Sequence, residues 1–221
     1  MQVVVAKRLL QANDQIAEMN RKRFDAAGVA AINLLGSPGA GKTSLIEALV
    51  PELAAKMRLA VVEGDLATTR DADRVAQLGL PTVQINTSGA CHLDAGMVAS
   101  ALDSLTLDGL DLLIIENVGN LVCPSSYRLG EHFRTVVLSV PEGDDKVAKY
   151  PTMFQRVDSL VINKLDLLPH VRFDLERVRA DVKVVAPTVA SFALSAATGE
   201  GIAEYTAWLE QRCEQIREGK G

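Results

Sequence analysis

The sequence predicts an α/β fold: a mostly parallel sheet of about seven strands with helices on both faces. Three observations predict it. Short apolar runs alternate with stretches of helical periodicity along nearly the whole chain, which is the pattern of repeated βαβ units. Several of those runs are apolar throughout, as expected of strands covered on both faces. The first run, Ala30-Ala31-Ile32-Asn33-Leu34-Leu35, leads directly into Gly36-Ser37-Pro38-Gly39-Ala40-Gly41-Lys42-Thr43 and a helix-like stretch, which matches a phosphate-binding P-loop in residues and in setting. The fold expected is therefore that of a P-loop NTPase.

In chain order, Val5 to Ala26 places Leu9, Leu10, Ile16, Met19 and Phe24 at irregular helical spacing, so a helix precedes the first strand and packs on the sheet or on a partner. Residues 1–28 are read as a helical extension and 29–221 as the P-loop domain. Strands are expected at Ala31 to Leu35, Leu59 to Glu63, Thr82 to Asn86, Leu110 to Glu116, Thr135 to Val140, Ser159 to Asn163 and Ser191 to Leu194. Helices are expected at Gly41 to Ala55, Asp71 to Leu78, Leu93 to Leu105, Asp144 to Arg156, Phe173 to Asp181 and Ile202 to Arg217. Pro81, Pro124, Pro141, Pro169 and Pro187 punctuate connections and do not mark a linker.

With 221 residues and 48% hydrophobic content, the chain can bury one substantial core. A net charge of -5 argues against nucleic acid or an anionic membrane as partner, and Lys7-Arg8 and Arg21-Lys22-Arg23 read as the solvated face of a helix. Three cysteines without a signal-like start do not make a disulfide framework, and no apolar run is long enough to span a bilayer, so the cytoplasm is the expected location.

The chemistry explains the spelling of the loop. Glycines let the backbone N–H groups around Gly36, Pro38, Gly39, Ala40 and Gly41 turn onto phosphate oxygens, and the helix starting near Gly41 points its positive end at them. Lys42 supplies a fixed charge at the β/γ-phosphates, Thr43 a hydroxyl for Mg²⁺, and Ser44 continues the cradle. Mg²⁺ also needs hard oxygen ligands nearby, and Asp65 and Glu116 each close an apolar strand where ligands of open α/β sheets gather. Lys42, Asp65 and Glu116 are thus the catalytic candidates; Thr43, Asp65 and Glu116 are the Mg²⁺ candidates. Strand-end acids are equally ordinary solvated caps, so the assignment leans on the P-loop.

Val161-Ile162-Asn163-Lys164-Leu165-Asp166 ends another apolar strand and spells Asn-Lys-x-Asp. An ionised Asp166 is acceptor-only and can take both the ring N–H and the exocyclic amine of guanine, which adenine does not offer. Asn163 braces the loops, the stem of Lys164 lies along the base, and Ser195-Ala196-Ala197 backs the guanine through backbone N–H groups. GTP and GDP are the expected nucleotides. The stretch Asp65 to Arg70 follows a second strand that reads as parallel to the first, which resembles the signal-recognition and metallochaperone branch of GTPases, whose members commonly pair two protomers across their nucleotides.

Within that branch, Gly89-Ala90-Cys91-His92-Leu93-Asp94, Glu116-Asn117-Val118-Gly119-Asn120-Leu121-Val122-Cys123-Pro124 and Pro141-Glu142-Gly143-Asp144-Asp145-Lys146 stand out. Together with the P-loop they resemble the HypB family of hydrogenase nickel-incorporation GTPases over about Asn33 to Gly201, with the urease accessory UreG GTPases more distant. The resemblance implies that Cys91, His92 and Cys123 bind Ni²⁺ or Zn²⁺ at an interface between protomers. It also implies a GTP-dependent homodimer that works with hydrogenase maturation proteins and the hydrogenase large subunit. Thiolates and imidazole suit both metals, and adjacent Cys91-His92 can hardly close a four-coordinate site alone. A lone Cys or His is otherwise a small buried hydrophobe or a hydrogen-bonding group. Cys213 keeps that structural reading, and His132 and His170 have no sequence partner favouring a ligand role. Some relatives carry a Cys-rich or His-rich nickel segment near the N-terminus. Met1 to Lys7 contains no Cys and no His-rich tract occurs, so only the interface site is expected here, with the metal brought by a partner.

GTP and Mg²⁺ are expected to order the loops Asp65 to Arg70 and Glu116 to Asn120 and to pair two protomers, so that GTP and metal tighten one another and hydrolysis loosens the pair and releases the metal. Asp65 is the candidate for orienting water. No arginine finger is identifiable, so turnover well below about 1–100 s⁻¹ is expected. Lys146 and Lys149 are candidates to reach a nucleotide across the dimer, against the plainer reading of exposed helix lysines. Two other classes share part of the pattern. An ATP-dependent small-molecule kinase would not need Asn163-Lys164-x-Asp166, and a protein-targeting GTPase would leave Cys91, His92 and Cys123 idle.

Overall fold

A computed structural model describes residues 2–65 and 74–219, with side chains from residue 8 onward. The chain runs α1 (Gln2–Ala27), β1 (Ala30–Gly36), α2 (Lys42–Leu53), β2 (Leu59–Asp65), β3 (Thr82–Asn86), α3 (Ala95–Leu102), β4 (Leu112–Glu116) and β5 (Phe133–Ser139). It continues through α4 (Lys146–Lys149), α5 (Pro151–Phe154), β6 (Ser159–Asn163), α6 (Leu175–Val185), β7 (Ala190–Ala193) and α7 (Ile202–Arg217). The seven strands form one sheet in the order β3-β2-β4-β1-β5-β6-β7. Every pairing within it is parallel.

The uninterrupted apolar runs follow from two covered faces. Along β1, Ala30, Ile32 and Leu34 point into one cluster, packed by Leu45 and Leu49 of α2 and by Tyr205 and Leu209 of α7. On the other face, Ala31 joins Phe24 of α1 and Val98 and Leu102 of α3. Leu35 joins Val136 and Ile162 under Met153, Phe154, Val178 and Val182. This alternation is the period of two that a strand imposes. Because β4 and β5 flank β1, the strand order switches direction at β1, and the crevice beyond its carboxyl end is where such sheets collect ligands.

The expected Asp144 to Arg156 helix is instead two single turns, α4 and α5, broken at Tyr150 (φ -126°, ψ 52°). The cause is Pro151, whose ring disfavours helical geometry in the residue before it. The expected β4 starts two residues later, at Leu112, because Leu110 closes a turn onto the Leu107 carbonyl. The α6 helix begins at Leu175, where the Asp174 side chain accepts from the Arg177 N–H as N-cap, and runs on to Val185. Of the expected Asp71 to Leu78 helix, residues 71–73 lie outside the described residues, as do 66–70 of the loop after β2; residues 74–76 are helical and 77–79 form a turn. Among the described residues no helix is long and apolar enough to cross a membrane.

Candidate functional site

The loop between β1 and α2 has the backbone that its glycines predict. Gly39 (φ 76°) and Gly41 (φ 92°) are left-handed, and Gly41 is the N-cap of α2. A Cβ on Gly36 would lie 2.4 Å from the Val137 carbonyl oxygen, and one on Gly41 2.5 Å from Asn163 Nδ2, so close approach also demands glycine there. Lys42 and Thr43 are buried at the start of α2, with Lys42 Nζ 3.4 Å from the Ser37 carbonyl.

Beyond this loop lies a crevice of ≈ 350 Å³ lined by Pro38, Gly39, Gly41, Lys42, Thr43 and Ser44, with the strand-end acids Asp65 and Glu116. Thr43 Oγ1 donates to Glu116 Oε1 at 2.9 Å, which brings a hydroxyl and a carboxylate together as hard oxygen donors. The crevice also contains two groups that sequence reasoning missed. Glu63 is buried and lies in register with Glu116, and the signal for it was the strand period that puts Glu63 and Asp65 on the α2 side. Arg74 also lines the crevice, donating to Glu47 at 2.6 and 2.9 Å and to Ser44 Oγ at 3.2 Å.

A second lobe of ≈ 470 Å³ shares Gly41, Ser44 and Lys164 with the first and is completed by Asn163, Asp166, Ala196 and Ala197. Asn163 is its buried brace. Its Nδ2 donates to the Ala40 carbonyl at 3.1 Å, and its Oδ1 accepts from Lys164 N at 2.7 Å and from Ala196 N at 3.1 Å. Lys164 is one of two non-glycine residues with positive φ (63°) among those described, and its Nζ donates to the Gly39 carbonyl at 2.6 Å. Backbone strain of this kind persists only where surroundings enforce it, and here the enforcing groups are Asn163 and the P-loop. Ser195 Oγ donates to Asp166 Oδ1 at 2.5 Å, fixing one carboxylate oxygen. Lys146 and Lys149 are engaged within the chain, Lys149 with Asp145 at 2.5 Å and Lys146 over the Tyr150 ring.

The adjacent Cys91 and His92 meet Cys123, 31 residues further on, with one ligand atom of each within 4.8 Å of the others. Cys91 Sγ lies 3.6 Å from His92 Nδ1, and the His92 ring packs on Tyr127 with centroids 3.9 Å apart and planes tilted by 35°. Burial lowers the His92 pKa against the opposing pull of Asp94, which favours the neutral, ligating imidazole. The Cys91 side chain and then burial raise the Cys123 thiol, so a metal there would have to displace a proton. Cys213 is buried on α7 and its thiol is pushed up to about 12 by burial, which suits a packing residue.

The two loops carrying this cluster are bonded to the crevice. Asn117 Oδ1 accepts from Leu93 N at 3.1 Å and from Val118 N at 3.0 Å, and Asn117 itself lines the crevice. Thr87 N donates to the Asp65 carbonyl at 3.0 Å. Asn120 N donates to the Gly36 carbonyl at 2.9 Å, and its side chain accepts from Val122 N and Cys123 N. Gly119 packs on Pro38 so closely that a Cβ would lie 2.8 Å away. The Asn117 carboxamide joins the two cluster-bearing segments, and the Asn120 backbone N–H ties the second of them to the P-loop while its carboxamide shapes the turn to Cys123.

Residues 30–192 match the family described as CobW/HypB/UreG, nucleotide-binding domain. The chain is 46% identical over 206 residues to hydrogenase maturation factor HypB of Escherichia coli (strain K12), covering 93% of this chain and 71% of that protein. It is 41% identical over 213 residues to the probable hydrogenase maturation factor HypB of Methanocaldococcus jannaschii, covering 96% of each. The fold is similar to that of HypB from Helicobacter pylori in complex with nickel, with TM-score 0.88 and 42% identity over 95% of this chain and 97% of that one. HypB from Archaeoglobus fulgidus gives TM-score 0.86 and 37% identity over 92% and 99%. The signal recognition particle receptor FtsY from Elizabethkingia anophelis shares the fold alone, with TM-score 0.58 and 16% identity over 87% and 71%.

Proposed function

The chain belongs to the HypB group of the CobW/HypB/UreG nucleotide-binding family, and from that premise we propose that it is a GTP-hydrolysing metallochaperone delivering nickel during hydrogenase maturation. The observation that carries this reading is the Cys91–His92–Cys123 cluster on loops bonded directly to the nucleotide crevice. A cluster so connected is suited to sense whether the crevice holds a nucleoside triphosphate. Metal is cargo here, and two thiols with one imidazole are the donor set for Ni²⁺ or Zn²⁺, leaving room for a ligand from a second protomer.

In this reading Asp166 accepts from the guanine edge while Ser195 fixes its orientation, and Ala196 and Ala197 wall the base. Gly36, Pro38, Gly39, Ala40 and Gly41 cradle the phosphates, and Lys42 neutralises charge that develops in phosphoryl transfer. Thr43, Asp65 and Glu116 are the oxygen donors that would hold Mg²⁺, whose chemistry is to neutralise the β/γ-phosphate charge. Asp65 orients the attacking water, with Glu63 the second acid available beside it. Loss of the γ-phosphate contacts loosens the Asn117–Leu93 and Asn120–Gly36 connections, and the metal cluster and GTP-dependent homodimer loosen with them.

The test is equilibrium binding of Ni²⁺ and Zn²⁺ to reduced, metal-stripped protein with GDP and with a non-hydrolysable GTP analogue. Tighter binding in the GTP form, by about 5–150-fold and lost on Cys91→Ala, is the expected result. Absence of metal binding in both forms overturns the metallochaperone reading and leaves a GTPase of another kind.

A further inference from the structure

The inward face of α1 carries groups that a helix packing for stability alone would not place there. Asn13 (7% exposed) and Asn20 (1%) lie seven residues apart beside buried Ala17 and Phe24, while Leu9 (60%) and Met19 (64%) point outward. An amphipathic helix normally turns its apolar stripe inward, and a buried carboxamide is costly unless bonded. Both carboxamides are bonded, and each bridges the same two segments. Asn13 Oδ1 accepts from Ala95 N and Nδ2 donates to the Arg128 carbonyl, each at 2.8 Å. Asn20 Nδ2 donates to the Ala95 carbonyl and to the Leu129 carbonyl, each at 2.9 Å.

Those segments are the ones that bear the metal cluster. Ala95 opens α3 three residues after His92, and Arg128 follows Tyr127, the ring against which His92 packs, five residues after Cys123. The second segment lies flush on α1: a Cβ on Gly130 would be 2.6 Å from the Ala17 carbonyl oxygen, and Arg21 Nε donates to the Gly130 carbonyl at 2.8 Å. We propose that α1 is a positioning element for the Cys91–His92–Cys123 cluster, in which Asn13 and Asn20 staple the two ligand-bearing segments at a fixed separation. The proposal rests on the metal reading above and gives the N-terminal helix a role in it. Side chains that orient metal ligands from outside typically contribute about 10–100-fold in affinity, and the staple is expected to fall in that range.

The experiment compares wild type with Asn13→Ala/Asn20→Ala, the milder Asn13→Ala, and Leu209→Ala, a core truncation on α7 remote from the cluster. Ni²⁺ and Co²⁺ are titrated into reduced, metal-stripped full chain with a non-hydrolysable GTP analogue. In the same proteins, free of metal, closure of a Cys91–Cys123 disulfide is equilibrated against oxidised glutathione, each closure yielding two reduced glutathiones. The double variant is expected to bind metal about 10–100-fold more weakly, with an altered thiolate-to-Co²⁺ charge-transfer band, a smaller disulfide equilibrium constant and unchanged affinity for the nucleotide. Leu209→Ala is expected to lose thermal stability while keeping metal affinity and disulfide equilibrium. Wild-type metal affinity in both asparagine variants, or an equal loss in Leu209→Ala, overturns the staple. If wild type binds no metal but the disulfide constant still drops only in the asparagine variants, the staple stands and the metallochaperone reading falls.

Discussion

Asp166 lines the second lobe with one carboxylate oxygen held by Ser195 Oγ, so its orientation is set within the chain, and on the proposed reading it receives guanine. Hydrogen bonds to a charged group contribute about 1.5–3 kcal/mol each, so Asp166→Asn is expected to weaken GTP by at least about 100-fold without improving ATP. Fluorescent-nucleotide titration checks this, and unchanged GTP affinity would move base recognition elsewhere. His132 gives a second prediction. Its Nδ1 accepts from Ala31 N at 3.0 Å and its Nε2 faces Asp25 at 2.9 Å, so the ring is bonded as a neutral imidazole. Burial first and Arg21 second lower its pKa, against the pull of Asp25 and Glu131. A proton on Nδ1 would oppose the Ala31 N–H. The unfolded chain therefore binds the proton more readily, and stability is present above the unfolded value near 6.5 and declines as pH falls through it. Thermal melts from about pH 7.5 to pH 5 are expected to show this decline, flattened in His132→Gln, which can still accept from Ala31. Of these two sites only Asp166 was legible in sequence, because Asn-Lys-x-Asp is local, whereas the His132 partners lie on β1 and α1.

Among the elements, the β1–α2 loop has no room for a side chain at Gly36. The Val137 carbonyl that a Gly36 Cβ would strike belongs to the β5 backbone, which cannot step aside as a flexible side chain would. Gly36→Ala is therefore expected to displace the P-loop and reduce nucleotide affinity at least about tenfold, while circular dichroism retains the helical content. Tyr205 makes the complementary case on the same sheet. Its hydroxyl meets Thr135 Oγ1 at 2.8 Å, and Thr135 in turn meets Ser159 at 2.7 Å, tying α7 to β5 and β6. Tyr205→Phe leaves Thr135 and Ser159 bonded to each other and is expected to cost about 0.5–1.5 kcal/mol in denaturant unfolding. Strand runs were readable because burial on both faces writes continuous hydrophobicity. The α4–α5 break was missed although Pro151 signalled it, since the apolar spacing of Val147, Met153 and Phe154 suits one helix as well as two.

At the scale of the molecule, the nucleotide crevice and the thiol–imidazole cluster share Asn117 and Asn120 as their joint. If GTP tightens metal binding, metal tightens GTP binding by the same factor. Sedimentation with the GTP analogue is therefore expected to show dimer strengthened by Ni²⁺ in wild type and indifferent to Ni²⁺ in Cys91→Ala; Ni²⁺-independent dimerisation of wild type would separate pairing from the metal. The amino-acid sequence by itself determined the strands, the P-loop and the Asn-Lys-x-Asp segment, because each is written in contiguous residues whose spacing and chemistry are local, whereas the residues of the cluster were named through the resemblance of the motifs around them. Tertiary structure alone decided that Cys91 and Cys123 meet, that Glu63 joins Glu116, and that two asparagines of α1 bridge segments 75 to 115 residues away. Such polar contacts have no period in sequence: a buried carboxamide is recognised only by the carbonyls and N–H groups that surround it once the chain has folded.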